Sequence, residues 1–295
     1  MSSAAHTPGR TSHLEPAIEP RNRTHAHDVS PRVKIDIWSD IVCPFCYIGK
    51  RHLELALDGF EHADDVEIAW HSFELDPTIE AVPDTTLVEK IAAKYGMTPE
   101  QSERSQEDIA ARAAEVGLEF NWREAKFGNT FDAHRLVHLA AQHGRATEAH
   151  ERLMRAYFTE GVAVGDTTEL QRLGEEIGLP ADDVRRVLAG DEFTQDVRAD
   201  EAAARQIGIT GVPFFVLDER LAVSGAQPVE TFERALTQAW RARMTTSDAA
   251  ATYGASTSSN DAAPAGRDAG TESVGHGRAG TNTHLGTCDA DHCAI

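Results

Sequence analysis

Apolar and polar residues alternate along VKIDIW (Val33–Trp38) and again along VEIAWHSFEL (Val66–Leu75), the period of a strand with one buried face. Between them, from Pro44 to Leu57, apolar positions return at helical spacing, with proline near the first turn, where its missing N–H would lack a partner anyway. From about Thr85 to Ile207 the helical spacing persists through segments such as TTLVEKIAAKYG, TPEQSERSQEDIAARAAEVG, TFDAHRLVHLAAQHG and TTELQRLGEEIGLP. Several of these open on Thr or Asp and close before Gly, residues that satisfy the loose N–H and C=O groups of helix ends. VPFFVLDERLAVSG then reads as two strands about an Asp218-Glu219-Arg220 turn, and PVETFERALTQAWRAR as a closing helix. The order predicts an α/β fold. Its mixed sheet has a middle connection, at about residues 84–207, swollen into a helical subdomain.

Composition divides the chain into three zones. Residues 1–31 are rich in Ser, Thr, His, Pro and Arg and lack the apolar core of a secretory signal, so a disordered extension is expected. Residues 32–243 carry the periodic patterns and form the folded body. Residues 244–295 are Ala, Gly, Ser, Thr and Asp with little to bury, and are expected to stay flexible, because nothing offsets their ordering entropy. The formal charge of −20 argues against nucleic acid and against an anionic membrane surface as partners. With five lysines against 48 acidic residues, the surface suits a salt-rich cytoplasm, and a halophilic source is one expectation. No stretch approaches the roughly 18 apolar residues of a membrane span. A cytoplasmic location is expected, where cysteine pairs are more often catalytic than structural.

Four cysteines therefore call for a chemical account. Cys43 falls where the first strand ends and the helix begins, facing unpaired N–H groups and the positive end of the helix dipole, which favour thiolate. Thiolate is the attacking species in disulfide exchange. Cys46 lies one turn on, close enough to close a small disulfide ring. The expected roles are an exposed nucleophile at Cys43 and a shielded resolving thiol at Cys46, with Pro44 setting the first helical dihedral. Two other readings stay open. The pair could be inert core residues, or it could join Cys288 and Cys293 in a tetrahedral zinc site. Asp40 reads as a helix-start or solvated carboxylate, with a proton shuttle as the sharper alternative.

A second element narrows the choice. ITGVPFFV places a proline at the entry to an apolar strand, where it removes a ladder N–H and belongs at an edge or irregularity. Such a proline is often cis. The strand–Cys-Pro-Phe-Cys–helix opening, the helical insertion, GVPFFV and the closing VSGAQP together resemble the DsbA family of thiol–disulfide oxidoreductases, most closely its FrnE-like branch. The similarity covers about residues 33–243. It implies a thioredoxin fold, a cis-proline loop at Val212 and Pro213 that binds substrate beside the dithiol, and no bound cofactor, since the cysteines carry the electrons. It also implies a partner that is a protein disulfide or dithiol, or a small thiol. Strongly oxidising relatives carry histidine where this chain has Phe45, so Pro44 and Phe45 should tune the couple to be less oxidising. Glutathione-dependent isomerases of the 2-hydroxychromene-2-carboxylate type share the fold, typically with serine at the Cys43 position. Here both cysteines are kept.

The remaining candidates are weaker. FGNTFDAHRL (Phe127–Leu136) resembles a stretch that overhangs the site in such relatives. Asn129 or Thr130 could cap its helix, and Asn129, Thr130 and His134 are candidate substrate contacts, His134 also a candidate general base. A half-buried histidine on an amphipathic helix accounts for the same pattern. Trp38, Trp70 and Phe73 read as core, and Gly225, Ala226, Gln227 and Pro228 as a turn into the final helix. At the far end Cys288 and Cys293 enclose DADH. About 45 intervening residues give a reach of roughly 35–40 Å, enough to visit Cys43 at millimolar local concentration. The tail pair is expected to exchange with the first pair. The alternative is a weak metal site at His284, Cys288, His292 and Cys293, to which Asp289 and Asp291 could add oxygen ligands.

Overall fold

The computed structural model describes residues 32–255. Strand β1 (Val33–Ser39) is followed by helix α1 (Pro44–Asp58) and strand β2 (Val66–Ser72). Seven helices come next: α2 (Leu87–Tyr95), α3 (Pro99–Glu115), α4 (Phe131–Gln142), α5 (Ala146–Phe158), α6 (Thr167–Ile177), α7 (Ala181–Ala189) and α8 (Thr194–Gln206). The hairpin β3 (Phe214–Leu217) and β4 (Leu221–Ser224) and helix α9 (Val229–Ala255) close the order. The sheet runs β2-β1-β3-β4, with β1 and β2 parallel and the other two pairings antiparallel. This is a thioredoxin-like core with a helical insertion between β2 and β3. Helix α9 runs past Arg243, where the sequence reading ends it.

Strand β1 departs from the expected alternation. Beyond Lys34 every residue in it is buried, because the strand is central and both faces are covered. Helix α9 packs on β1, β3, β4 and α1, while α5 and α8 pack on β2. Pro213 also corrects an expectation. It precedes β3, which is an inner strand, and β3 begins only at Phe214, so the proline takes no N–H from the ladder. The β3–β4 turn puts Asp218 and Glu219 at positive φ (51° and 56°), the backbone twist that two-residue hairpins favour. Asp218 offsets that strain by accepting from the backbone N–H of Lys34 and from Arg243.

The insertion is held by local signals readable in the sequence. Thr86 with Glu89, and Thr98 with Gln101, form reciprocal capping boxes at α2 and α3, and Asp166 caps α6. At α4 the cap is Asn129, whose Oδ1 accepts from Phe131 N–H at 2.9 Å, while Thr130 makes no cap bond. Gly128 and Gly165 lie so close to the Ala81 carbonyl that a side-chain carbon at either would overlap it. Their bareness seats the loop after β2 on the insertion, where Asn129 N–H donates to Glu80 O at 3.0 Å. Arg135 is buried on α4 and donates to the carbonyls of Val187, Gly190 and Glu192, satisfying the loose end of α7.

Candidate active site

Cys43 is the N-cap of α1. Its backbone is extended (φ −86°, ψ 113°), and its Sγ accepts from the Cys46 N–H at 3.4 Å. Pro44 occupies the first helical position and brings no N–H, and of the N–H groups that follow it is that of Cys46 that reaches the sulfur. The Cys43 thiol donates in turn to the Val212 carbonyl at 3.7 Å. The Val212–Pro213 peptide is cis, as expected. Both cysteines are free thiols.

The expected exposure of Cys43 is corrected. Cys43 is 1% and Cys46 2% exposed, and Phe45 is the member of the tetrapeptide that is not buried. The Val212–Pro213 loop roofs the sulfur, and α3 of the insertion packs on α1. Burial pushes the Cys46 thiol well above its ordinary value. The hydrogen bond and charge of Cys43 push it the same way, against a weaker pull from the Asp40 backbone and the Ser39 hydroxyl. Cys46 therefore holds its proton.

The helix and the loop meet through Gly49 of α1. A side-chain carbon there would stand 3.1 Å from Pro213 Cγ and 3.3 Å from Ala226 Cα. The Gly225–Pro228 turn is tied to the same place, since Gly225 N–H donates to the Pro213 carbonyl at 2.8 Å. Dithiol, cis-proline loop and closing turn thus form one packed unit.

Beneath them the polar side chains depart from expectation. Asp40 is not solvated: it is 1% exposed, and its Oδ2 accepts from the Leu75 N–H at 2.8 Å. Its Oδ1 faces His134 Nε2 at 3.4 Å without a hydrogen bond. His134 is fully buried because α4 lies over the sheet end, so direct contact with a substrate is closed to it. Thr130 is buried too, and Asn129 is half-buried with its amide on Glu74. Trp38 and Trp70 are buried as expected, while Phe73 is half-buried.

A polar cluster on the insertion side was not anticipated. His71 places Nε2 2.8 Å from Asp36 Oδ1 and Nδ1 2.8 Å from Asp200 Oδ1. Asp200 also accepts from the Ser72 N–H and lies 3.2 Å from His138 Nε2. Burial alone would lower the His71 value, but its bonds to Asp200 and Asp36 raise it above 6.5. Burial would raise the Asp200 carboxyl, yet its bonds to His138, His71 and Ser72 hold it well below the usual carboxylate range. The one signal for the cluster was polar Asp36 and His71 inside strands, at positions that share a face with Trp38.

A cavity of about 430 Å³ opens beside the tetrapeptide, with Val42, Pro44 and Phe45 on one wall and residues of α2 and α3 opposite. Among the described residues no cluster of three His, Cys, Asp or Glu side chains could hold a metal ion, and no helix is long and apolar enough to cross a membrane. Cys288, Cys293, His284 and His292 lie outside the described residues.

The family model for the DSBA-like thioredoxin domain matches residues 34–237. The chain is 31% identical over 207 residues to the uncharacterized protein YwbO of Bacillus subtilis, covering 69% of this chain and 96% of that one. A crystal structure of a probable DsbA oxidoreductase from Streptomyces coelicolor is 45% identical, with a TM-score of 0.68 over 71% of this chain and 90% of that one. A 2-hydroxychromene-2-carboxylate isomerase structure aligns with a TM-score of 0.54 over 72% of this chain and 98% of that one. At 16% identity it shares the fold alone.

Proposed function

Because the chain belongs to the DSBA-like thioredoxin domain family, we propose that it is a thiol–disulfide oxidoreductase whose working couple is Cys43 and Cys46. The observation that carries this reading is the setting of the Cys43 sulfur. It sits at a helix N-terminus, accepts the Cys46 N–H, and lies against the cis-proline loop, to whose Val212 carbonyl it donates while protonated. The helix end and the Cys46 N–H are donors that sulfur can use as negative charge develops on it during exchange, whereas burial keeps the Cys46 thiol protonated.

In the reducing direction the Cys43 thiolate attacks one sulfur of a substrate disulfide. The S–S bond breaks, the other substrate sulfur leaves as thiolate, and a mixed disulfide forms on Cys43. Cys46 then gives up its proton to the first departing thiolate and attacks Cys43, so that the mixed disulfide breaks and the Cys43–Cys46 disulfide closes. The second substrate sulfur leaves as thiolate and takes a proton from water. Two electrons pass to the substrate from the two cysteines. The reverse sequence oxidises a dithiol. The Val212–Pro213 backbone lines the mixed disulfide and holds the substrate chain against Cys43. Phe45 brings no charge to the sulfur, so the couple is less oxidising than one with histidine in that place. Titration against glutathione reads this directly.

The deciding assay is reduction of insulin disulfides by the wild type and by Cys43→Ser. Loss of activity in the variant supports the dithiol mechanism. Activity that survives would point to a glutathione-dependent isomerase chemistry. The tail pair, Cys288 and Cys293, is proposed to exchange with Cys43–Cys46, and a Cys46→Ser variant should then trap a bond from Cys43 to Cys288 or Cys293. Recovery of stoichiometric zinc would instead favour the metal reading of the four cysteines.

A further inference from the structure

The cavity beside the tetrapeptide combines features that neither the family nor the dithiol requires. Val42 and Pro44, which bracket Cys43, form its near wall, and Leu87, Ile91 and Phe127 contribute apolar surface opposite. Tyr95 at its edge has its phenol pushed up to about 12, by burial and then by the charge of Cys43, so the cavity extends to within electrostatic reach of the nucleophile. Its volume suits an aromatic or large aliphatic side chain.

The rim is cationic. Arg104 and Arg112 line the cavity from α3, with Asp108 as the acid among the lining residues. Arg152, Arg172, Arg186 and Arg198, on other helices of the insertion, are matched to carboxylates. Among the described residues neither Arg104 nor Arg112 has an ion-pair partner, and both are exposed. The Arg112 guanidinium instead lies 5.1 Å over the Phe45 ring, which fixes it next to the dithiol. In a chain of net charge −20, two arginines against one aspartate on this rim form a local anion-attracting site, with Arg104 shared with the Glu100 carboxylate one turn away.

Building on the oxidoreductase reading, we propose that this cavity selects polypeptide disulfides in which the cysteine is followed by a large apolar side chain and then a carboxylate. The apolar group fills the cavity and the carboxylate meets Arg104 and Arg112. Glutathione offers carboxylates but no apolar side chain to displace water from the Leu87–Ile91–Phe127 surface, so it is the poorer fit.

The probes are three acetylated peptides, Cys-Phe-Glu, Cys-Phe-Lys and Cys-Gly-Glu, each carrying its cysteine as a mixed disulfide with neutral 2-thiopyridine. With the reduced full chain in single turnover, Cys43 attacks the peptide sulfur and expels the thiopyridine. Cys46 then displaces the peptide thiol, so the enzyme dithiol supplies both electrons. Release from Cys-Phe-Glu is expected to be roughly tenfold faster than from either other peptide. The Glu-over-Lys preference should shrink several-fold between low and about 1 M salt. It should invert in the Arg104→Glu/Arg112→Glu protein, while the Phe-over-Gly preference persists. Equal rates for the three peptides overturn the proposal, as does a Glu preference that survives both salt and charge reversal. If no probe reacts, the oxidoreductase reading itself is overturned.

Discussion

Asp40 shows how one buried carboxylate can hold a site in place. Its Oδ2 is the acceptor for the Leu75 N–H where the chain leaves β2, and its Oδ1 faces the buried His134. Truncation at Asp40 leaves that N–H unpaired in the core, a loss of about 1–3 kcal/mol. Asp40→Ala is therefore expected to lower the thermal midpoint by several degrees, and Asp40→Asn, which keeps an acceptor, by less. Equal midpoints for Asp40→Ala and wild type would remove Asp40 from this structural role. The cysteines and the cis-proline were legible from sequence because each is defined by its immediate neighbours, a helix start for Cys43 and an apolar strand for Pro213. The burial of Asp40, His134 and Cys43 was not. It depends on what α3, α4 and the Val212–Pro213 loop lay over them from far along the chain.

Two contacts between elements lend themselves to test. Gly49 lets α1 approach the Pro213 loop and the Ala226 turn, with Pro213 Cγ 3.1 Å from where a side chain would begin. Overfilling such a contact costs about 1–3 kcal/mol, so Gly49→Val is expected to destabilise the fold and to slow disulfide exchange by displacing the cis-proline loop. Unchanged stability with unchanged exchange rates would show that the loop does not need this approach. The second contact is His71, which joins β1 and β2 to α8 through Asp36 and Asp200. Its value is raised in the folded state, so the charged imidazolium contributes stability that is fully present below the ordinary 6.5 and is lost as pH climbs through the folded value. Denaturant unfolding from pH 6 upward should show this loss in the wild type and not in His71→Gln. Parallel pH profiles for the two proteins would exclude it. At this scale the caps Thr86, Thr98 and Asp166 and the order of elements were written locally. The His71 clamp was not, because the sequence does not announce that α8 returns to the edge of β2.

For the whole chain, charge sets the response to solvent. A net charge of −20 repels itself, and salt relieves that repulsion. Salt also weakens exposed ion pairs such as Arg185–Asp182 and Arg172–Glu169, but these are worth only about 0–1 kcal/mol each. The thermal midpoint is therefore expected to rise as sodium chloride increases to about 0.5 M, and a falling midpoint would mean that the paired networks outweigh the repulsion. Internal wiring shapes behaviour in a different way. The hydrogen bond from the Cys43 thiol to the Val212 carbonyl exists only while that sulfur carries hydrogen. Once it is joined to Cys46 or to a client, the bond has no donor, and the Val212 oxygen is free to turn elsewhere. The reduced chain thus ties the segment ahead of β3 to the start of α1, and any covalent change at this one sulfur loosens that tie.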